Sequence, residues 1–434
     1  MANFTLKNVS TGIGATDANL VGLSDDGQTV AFVYGTGGFS ITGTLRVEDL
    51  GSGASKDVAT TPIIDSQFVV GNFFDGTSLS GNGQVVGYSI DSGGAGVGAG
   101  HAFATNAVTG DSVLLGTPVP NALVTIEVGG AVLSGDGQLA AYDIEQTAFQ
   151  NGDPGYQAIE IRDFLNNTVT QEVIETRFDF KASLHVLDLS ANGRYLVYTE
   201  TDQNPVDISS RNLYVKDTQT DTVTQLNTHG FQPYANGAAA VSANGHFVAY
   251  LDRSNSFGLP NNEVYVRDLQ TGAVQLVSAA PNGDLGNGTS SSVAISADGR
   301  VVAFVSDATN LVANDPDGAA PDVFVKNLDT GTVTLVAPAV SGTQLSLSQD
   351  GSSVAFATNA NFALKGDTDG RPDVYVATFL PPSLAIDPIS SDNRINAVEA
   401  TTPVTVSGTS SAVGQLITIT DDFGGIGGPH TRLA

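Results

Sequence analysis

The chain has 434 residues, with 45 acidic and 17 basic side chains, a net charge of −28 and no cysteine. Such a surface repels nucleic-acid phosphates and anionic membranes and attracts divalent cations, and without thiols there is neither a disulfide nor thiolate chemistry. Charged residues make up only 14% and apolar residues 41%, which excludes an acidic disordered tail, and no apolar run reaches the roughly 18 residues of a membrane span.

Residues 2–20 lack the basic start and apolar core of a Sec signal peptide. They leave open a cytoplasmic protein, a processed chain, or export by a route read elsewhere. Asn3-Phe4-Thr5-Leu6-Lys7-Asn8-Val9 reads as a strand without a hairpin partner of its own.

From Leu23 onward the chain repeats. LSDDGQTVAF begins at Leu23, LSGNGQVVGY at Leu79, LSGDGQLAAY at Leu133 and LSANGRYLVY at Leu189. VSANGHFVAY begins at Val241, ISADGRVVAF at Ile295 and LSQDGSSVAF at Leu347, so the spacings are 56, 54, 56, 52, 54 and 52 residues. A near-constant period over seven copies marks an array of units that bury their apolar faces against one another. Each copy pairs Asp or Asn with Gly, from Asp26-Gly27 to Asp350-Gly351, which is the chemistry of a tight hairpin: the side chain bonds the turn and Gly takes the positive φ. The strand after each turn is apolar and β-rich, and the strand before it carries small residues such as Gly237-Ala238-Ala239-Ala240, which suit a crowded centre. A long Gly/Asn/Asp/Pro-rich loop follows, then a third strand (Val264-Tyr265-Val266, Val323-Phe324-Val325), a short turn such as Gln270-Thr271-Gly272, and a fourth strand. Four-stranded meanders repeated seven times predict an all-β, seven-bladed β-propeller over residues 1–380. A parallel β-helix is the rival array, but it needs shorter coils and does not place a hairpin in every repeat.

The seventh unit lacks its fourth strand: Val374-Tyr375-Val376 runs into Pro381-Pro382. Phe4 and Leu6 match Val333 and Leu335 of the sixth unit, so the N-terminal segment is expected to supply the missing strand and close the ring.

The pattern S-x-[DN]-G-x-x-[VA]-[AV]-[FY], then D-V-[FY]-V, then T-G-x-V, resembles the TolB-type, WD40-like propeller repeat. The resemblance implies the propeller fold but not one function, because such propellers occur in translocation proteins, peptidases, lyases and surface proteins. The chain carries neither the hydrolase domain of prolyl oligopeptidases nor the amino-terminal domain of TolB.

Residues 381–434 change texture. Asp392-Asn393, Ile395-Asn396, Glu399, Val404-Thr405-Val406-Ser407-Gly408-Thr409 and Gly414 resemble the opening of bacterial Ig-like repeats found in large, acidic, cysteine-free adhesins exported by type I secretion. Too few residues follow for a complete sandwich of roughly 90 to 100 residues, so a partial Ig-like segment is expected, ending in a flexible Gly-rich tail at 421–428.

In such blades the turns between first and second and between third and fourth strands lie on one face. The long loops between second and third strands, and between blades, lie on the other, and that face is the expected binding surface. Two of its loops carry carboxylates: Asp315 and Asp317 before Asp322, and Asp367 and Asp369 before Asp373. Alternating acidic oxygens around a Gly turn suit calcium, although no EF-hand glutamate follows. The alternative is a pair of Asx turns, with Asp322 and Asp373 capping the third strands. His101, His185 and His229 fall near the same face and could bind a transition metal, as in propeller-type polysaccharide lyases, but scattered structural histidines explain them as well. His246 lies by a short turn and His430 in the tail. No Gly-x-Ser-x-Gly elbow, Walker loop or His-Glu-x-x-His is present.

Three functions are weighed. The first is a non-enzymatic, adhesin-like recognition or scaffold module of an extracellular or cell-surface protein, monomeric within a longer chain, binding a glycan or protein. The second is a polysaccharide-active lyase. The third is a TolB-like periplasmic partner.

Overall fold

Each of the seven repeat Asp-Gly or Asn-Gly pairs sits in a tight hairpin whose glycine has φ between +66° and +74°, a region where a Cβ is strained. A buried serine just before each turn completes it. Its hydroxyl donates to the Asp or Asn side chain at 2.6–2.8 Å and accepts the N–H five residues ahead at 2.8–3.0 Å, as in Ser24–Asp26–Thr29 and Ser348–Asp350–Ser353. The turn is thereby closed without water.

The structure is a computed structural model that describes residues 4–10, 18–36, 42–61, 78–91, 100–115, 124–148, 156–176, 182–202, 211–227, 239–253, 261–338, 340, 344–358, 372–380, 384–386, 408–410, 416–419 and 430–433. No helix occurs among them. Residues Asn3–Thr378 form one unit, a ring of seven separate four-stranded antiparallel sheets. Blade 1 runs from Ala18–Leu23 through Thr29–Thr36 and Thr42–Asp49 to Ser55–Thr61. The blades relevant below are blade 4 (Ala182–Leu189, Tyr195–Asp202, Arg211–Asp217, Thr222–Gln225), blade 5 (Ala239–Val241, Phe247–Arg253, Asn262–Asp268, Val274–Leu276) and blade 6 (Ser290–Ile295, Val301–Ser306, Asp322–Asn327, Val333–Ala337). Separate antiparallel sheets exclude the β-helix.

Blade 7 joins both ends of the unit. Its strand order is Leu345–Leu347, Ser353–Thr358, Asp373–Phe379 and, outermost, Phe4–Asn8. The Val9 N–H donates to Val374 O at 2.9 Å, as Val277 does to Val264 O in blade 5 at 2.7 Å. The predicted closing strand is therefore in place.

The inner hairpins bond one another as well. Asp25 N–H donates to Gly81 O, Asn82 to Gly135, Gly135 to Ala191, Ala297 to Gln349, and Gln349 back to Asp25, at 2.7–3.1 Å. Farther out, basic side chains of third strands donate to backbone oxygens of the preceding blade: Lys216 to Glu172 O, Arg267 to Gln225 O at 3.3 Å and Lys326 to Val277 O at 2.6 Å. Between hub and rim lies the core. Aromatic pairs from second and third strands stack in register, including Tyr198–Tyr214, Phe304–Phe324 and Phe356–Tyr375, a cross-strand contact that stabilises the sheet beyond its buried area.

Residues Phe379–Ala434 form a second unit. Its described residues make two antiparallel pairs, Leu384–Ile386 with Gly408–Ser410 and Leu416–Ile419 with His430–Leu433. Most residues that carry the Ig-like resemblance, and the Gly-rich 421–428, lie outside the described residues.

Candidate metal centre

The third strand of each blade starts at the long-loop face, and its first residues decide what happens there. In blade 4, Leu213 N–H donates to Asn227 Oδ1 at 2.8 Å; in blade 5, Val264 N–H donates to Ser278 Oγ at 2.8 Å. In blade 7 the Val374 N–H donates to Ser10 Oγ at 3.1 Å, with Ser10 supplied by the other end of the chain. A polar side chain just past the outer strand thus clamps the start of the third strand. In blade 6 the position equivalent to Asn227 and Ser278 is Ala337, which offers no such group.

Asp322, at the head of that blade 6 strand, is 1% exposed. It faces the preceding loop, where Asp315 is half-buried and Asp317 exposed, and one carboxylate oxygen from each of the three lies within 4.8 Å of the others. Asp315 Oδ1 accepts the N–H groups of Asp317 at 3.3 Å and Gly318 at 3.1 Å, with Gly318 at φ +75°. The Asx turn expected from the sequence is therefore formed, and it brings the carboxylates together. Asp315 Oδ2 is buried and has no hydrogen-bond partner among the described residues. Burial, followed by the hydrogen bond to Asp315 and its charge, pushes the Asp317 carboxyl above the usual range. An all-oxygen, triply acidic set with an orphaned oxygen fits a hard divalent cation. Among the described residues this is the one group of His, Asp and Glu close enough to hold an ion.

The other predicted residues fare differently. Asp367 and Asp369 lie outside the described residues. Asp373 is half-buried, and both its oxygens serve the closure: Asn8 Nδ2 donates to Oδ2 at 3.0 Å and Ser10 Oγ donates to Oδ1. His185 is exposed, with Nδ1 3.9 Å from Asp143 Oδ2, and His246 bonds Gln270 at a short turn. His229 and the His101 side chain are outside the described residues. His430 is in the second unit.

The loop that carries Asp315 and Asp317 is tied at residues 307–310 to the inter-blade loop before it. Asn287 exchanges bonds with Thr309 (2.7 and 2.8 Å) and donates its own N–H to Asn310 Oδ1 at 3.0 Å. Thr289 Oγ1 donates to Asn261 Oδ1 at 3.3 Å. The inter-blade loop 279–289 and the blade 6 loop 307–321 thus share one polar surface. Sequence reasoning missed this surface and the clamps. The signal was a polar residue 14 positions after the clamped residue of the third strand, as in Leu213 to Asn227 and Val264 to Ser278.

No protein-family model matches the chain, and no curated protein sequence matches it. Solved structures do match in fold. An oligogalacturonate lyase in complex with manganese shares 14% identity at a TM-score of 0.52, over 87% of this chain and 96% of its own. The oligogalacturonate lyase of Vibrio parahaemolyticus shares 11% identity at 0.52, over 91% and 98%. TolB from Acinetobacter baumannii shares 16% identity at 0.38, over 80% and 79%. At these identities the likeness to the two lyases shows the β-propeller fold alone.

Proposed function

We propose that the propeller is a non-enzymatic recognition module of a secreted or cell-surface bacterial protein, binding a glycan or protein ligand on its long-loop face with calcium at Asp315, Asp317 and Asp322. The observation that carries this reading is the meeting of three carboxylates, one of them almost fully buried, beside firmly bonded Asn- and Thr-rich loops. A calcium ion there would offset three negative charges, fix the 315–321 loop and keep coordination positions for ligand hydroxyls or carboxylates. The acidity, the lack of cysteine and the adhesin-like texture of 381–434 support an exported protein; a periplasmic site is the alternative location. The module works as a monomer within a longer chain, with a partial Ig-like segment after residue 380. Glycan-array binding in calcium and in chelator tests it: ligands held only with calcium support the reading, and an array without binders in either condition removes the glycan.

A second reading, a polysaccharide lyase, is favoured by the fold likeness to oligogalacturonate lyases over most of both chains. Release of unsaturated products from oligogalacturonate with added manganese would establish it and displace the first reading.

A further inference from the structure

An asparagine followed by glycine carries its side-chain amide next to an unhindered backbone nitrogen, and five such pairs lie within the described residues. Asn82, Asn192 and Asn244 belong to the repeat hairpins and are locked. Each Oδ1 accepts the hydroxyl of a fully buried serine (Ser80, Ser190 or Ser242) at 2.8 Å and the N–H two residues ahead at 2.9–3.1 Å. The N–H of the following glycine donates to the same serine's carbonyl at 2.8 Å. That serine also accepts the N–H of Val85, Tyr195 or Phe247 on the next strand, so freeing the asparagine means parting two inner strands. Asn287 is held from outside its own loop: both side-chain atoms bond Thr309, its N–H donates to Asn310 Oδ1, and a Cβ on Gly288 would lie 2.6 Å from Ala308 N.

Asn282 differs from the other four. It sits at the tip of a small hairpin in the inter-blade loop, where Ala279 pairs with Leu285 and Pro281–Asp284 are all exposed. Ala280 N–H donates to Asp284 O at 2.9 Å and Gly283 N–H to Ala280 O at 2.8 Å. Asn282 Oδ1 accepts the Asp284 N–H at 3.1 Å, and Nδ2 donates to Asp284 Oδ2 at 2.6 Å. Among the described residues every bond to Asn282 and Gly283 thus stays inside the turn. Opening an exposed turn of this kind costs a small fraction of what parting two buried strands does.

We propose that Asn282 is a site of spontaneous modification, at which its amide is exchanged for a carboxylate and the 279–285 hairpin is opened. The Gly283 nitrogen, having given up its proton, attacks Asn282 Cγ. The new N–C bond forms as the Cγ–Nδ2 bond breaks, and Nδ2 takes up that proton and leaves as ammonia. Water then adds to one carbonyl of the cyclic imide and opens it to aspartate or isoaspartate; nothing is oxidised or reduced. Either product lacks the N–H that Asp284 Oδ2 accepts and sets a second negative charge against it. The base of the hairpin, Leu285 O, accepts Asn310 Nδ2 at 3.1 Å, so the change reaches the border of the blade 6 loop. It does not depend on which ligand binds the long-loop face.

Peptide mapping by mass spectrometry, on the whole chain incubated in mildly alkaline buffer, tests it. Asn282 should lose its amide roughly tenfold faster or more than Asn82, Asn192, Asn244 and Asn287. In chain unfolded by denaturant the five sites should react at comparable rates, because each is the same residue pair. Equal rates in the folded chain, a faster loss at any of the other four, or an Asn282 excess that persists after unfolding overturns the site. Asn282→Asp supplies the product directly. Hydrogen exchange at Ala280 N–H should then speed up roughly threefold or more, and an unchanged rate would overturn the opening of the hairpin.

Discussion

Blades 6 and 7 begin their third strands with the same residue and use it in opposite ways. In blade 7, Asp373 accepts from Asn8 and Ser10, and both donors come from the other end of the chain, so the aspartate is spent on closing the ring. In blade 6 the clamp position is Ala337, and Asp322 is instead gathered with Asp315 and Asp317. The role of the acidic residue is set by what stands at the end of the outer strand, not by its own identity. Blade 5 is intermediate, with Ser278 engaging one oxygen of Glu263 and the other buried without a hydrogen-bond partner among the described residues.

The largest expected effect is on the blade 7 side. Deleting residues 1–10 removes the outer strand, the buried Val9 and the Ser10 clamp together, and exposes the edge of Asp373–Phe379. The loss should be roughly 4 kcal/mol or more, from the buried side chain and the orphaned hydrogen bonds combined. An unchanged thermal melt would break the closure and the comparison with it.

Next comes pH. Burial raises Asp25 and Asp188 to about 6 and Glu263 to about 7. A folded-state value above the unfolded one means stability that is full below about pH 4 and lost as pH rises through 6 to 7. Asp217, held down to about 2 first of all by its hydrogen bond from Arg194, acts the other way, but only below about pH 4. Denaturant unfolding should therefore show a more stable chain at pH 5 than at pH 8, and E263Q should remove roughly 3 kcal/mol of that difference. A flat profile in the wild type would sink the claim that these carboxyls are buried as charged groups at neutral pH.

A smaller effect is expected from Ser278→Ala, which strips the blade 5 clamp. Val264 N–H and Glu263 each lose a partner, at a cost of about 1–3 kcal/mol measured by chemical denaturation. The substitution turns blade 5 into the likeness of blade 6 at this one point.

Much of this architecture is legible in the sequence because it is local. Asp26-Gly27 and its six counterparts fix hairpins through φ and side-chain bonds within five residues, and the orphan strand Phe4–Asn8 reveals itself by a missing partner near Tyr375. The clamps are not legible in the same way. Ser10, Ser278 and Asn227 act on residues a whole hairpin or a whole chain away, and nothing in Glu263 alone distinguishes a buried glutamate from a solvated one. The metal question was half-legible: alternating Asp315 and Asp317 pointed to the turn, whereas the decisive absence of a clamp at Ala337 shows only when the blades are laid side by side.

That absence can be reversed. Ala337→Ser would restore a hydroxyl at the end of the blade 6 outer strand, where it could accept Val323 N–H and donate to Asp322, as Ser278 does for Val264 and Glu263. A charge-assisted bond of this kind is strong enough to draw the carboxylate from its two partners. Calcium affinity, read by calorimetry on chelator-treated protein, should then fall about tenfold, equivalent to about 1.4 kcal/mol. Asp322→Asn should abolish binding, whereas Asp373→Asn, whose oxygens are already committed to Ser10 and Asn8, should leave it unchanged and lower the melting temperature instead. No heat of binding in the wild type would remove the ion from blade 6, and equal losses in D322N and D373N would mean that the two aspartates do not differ after all.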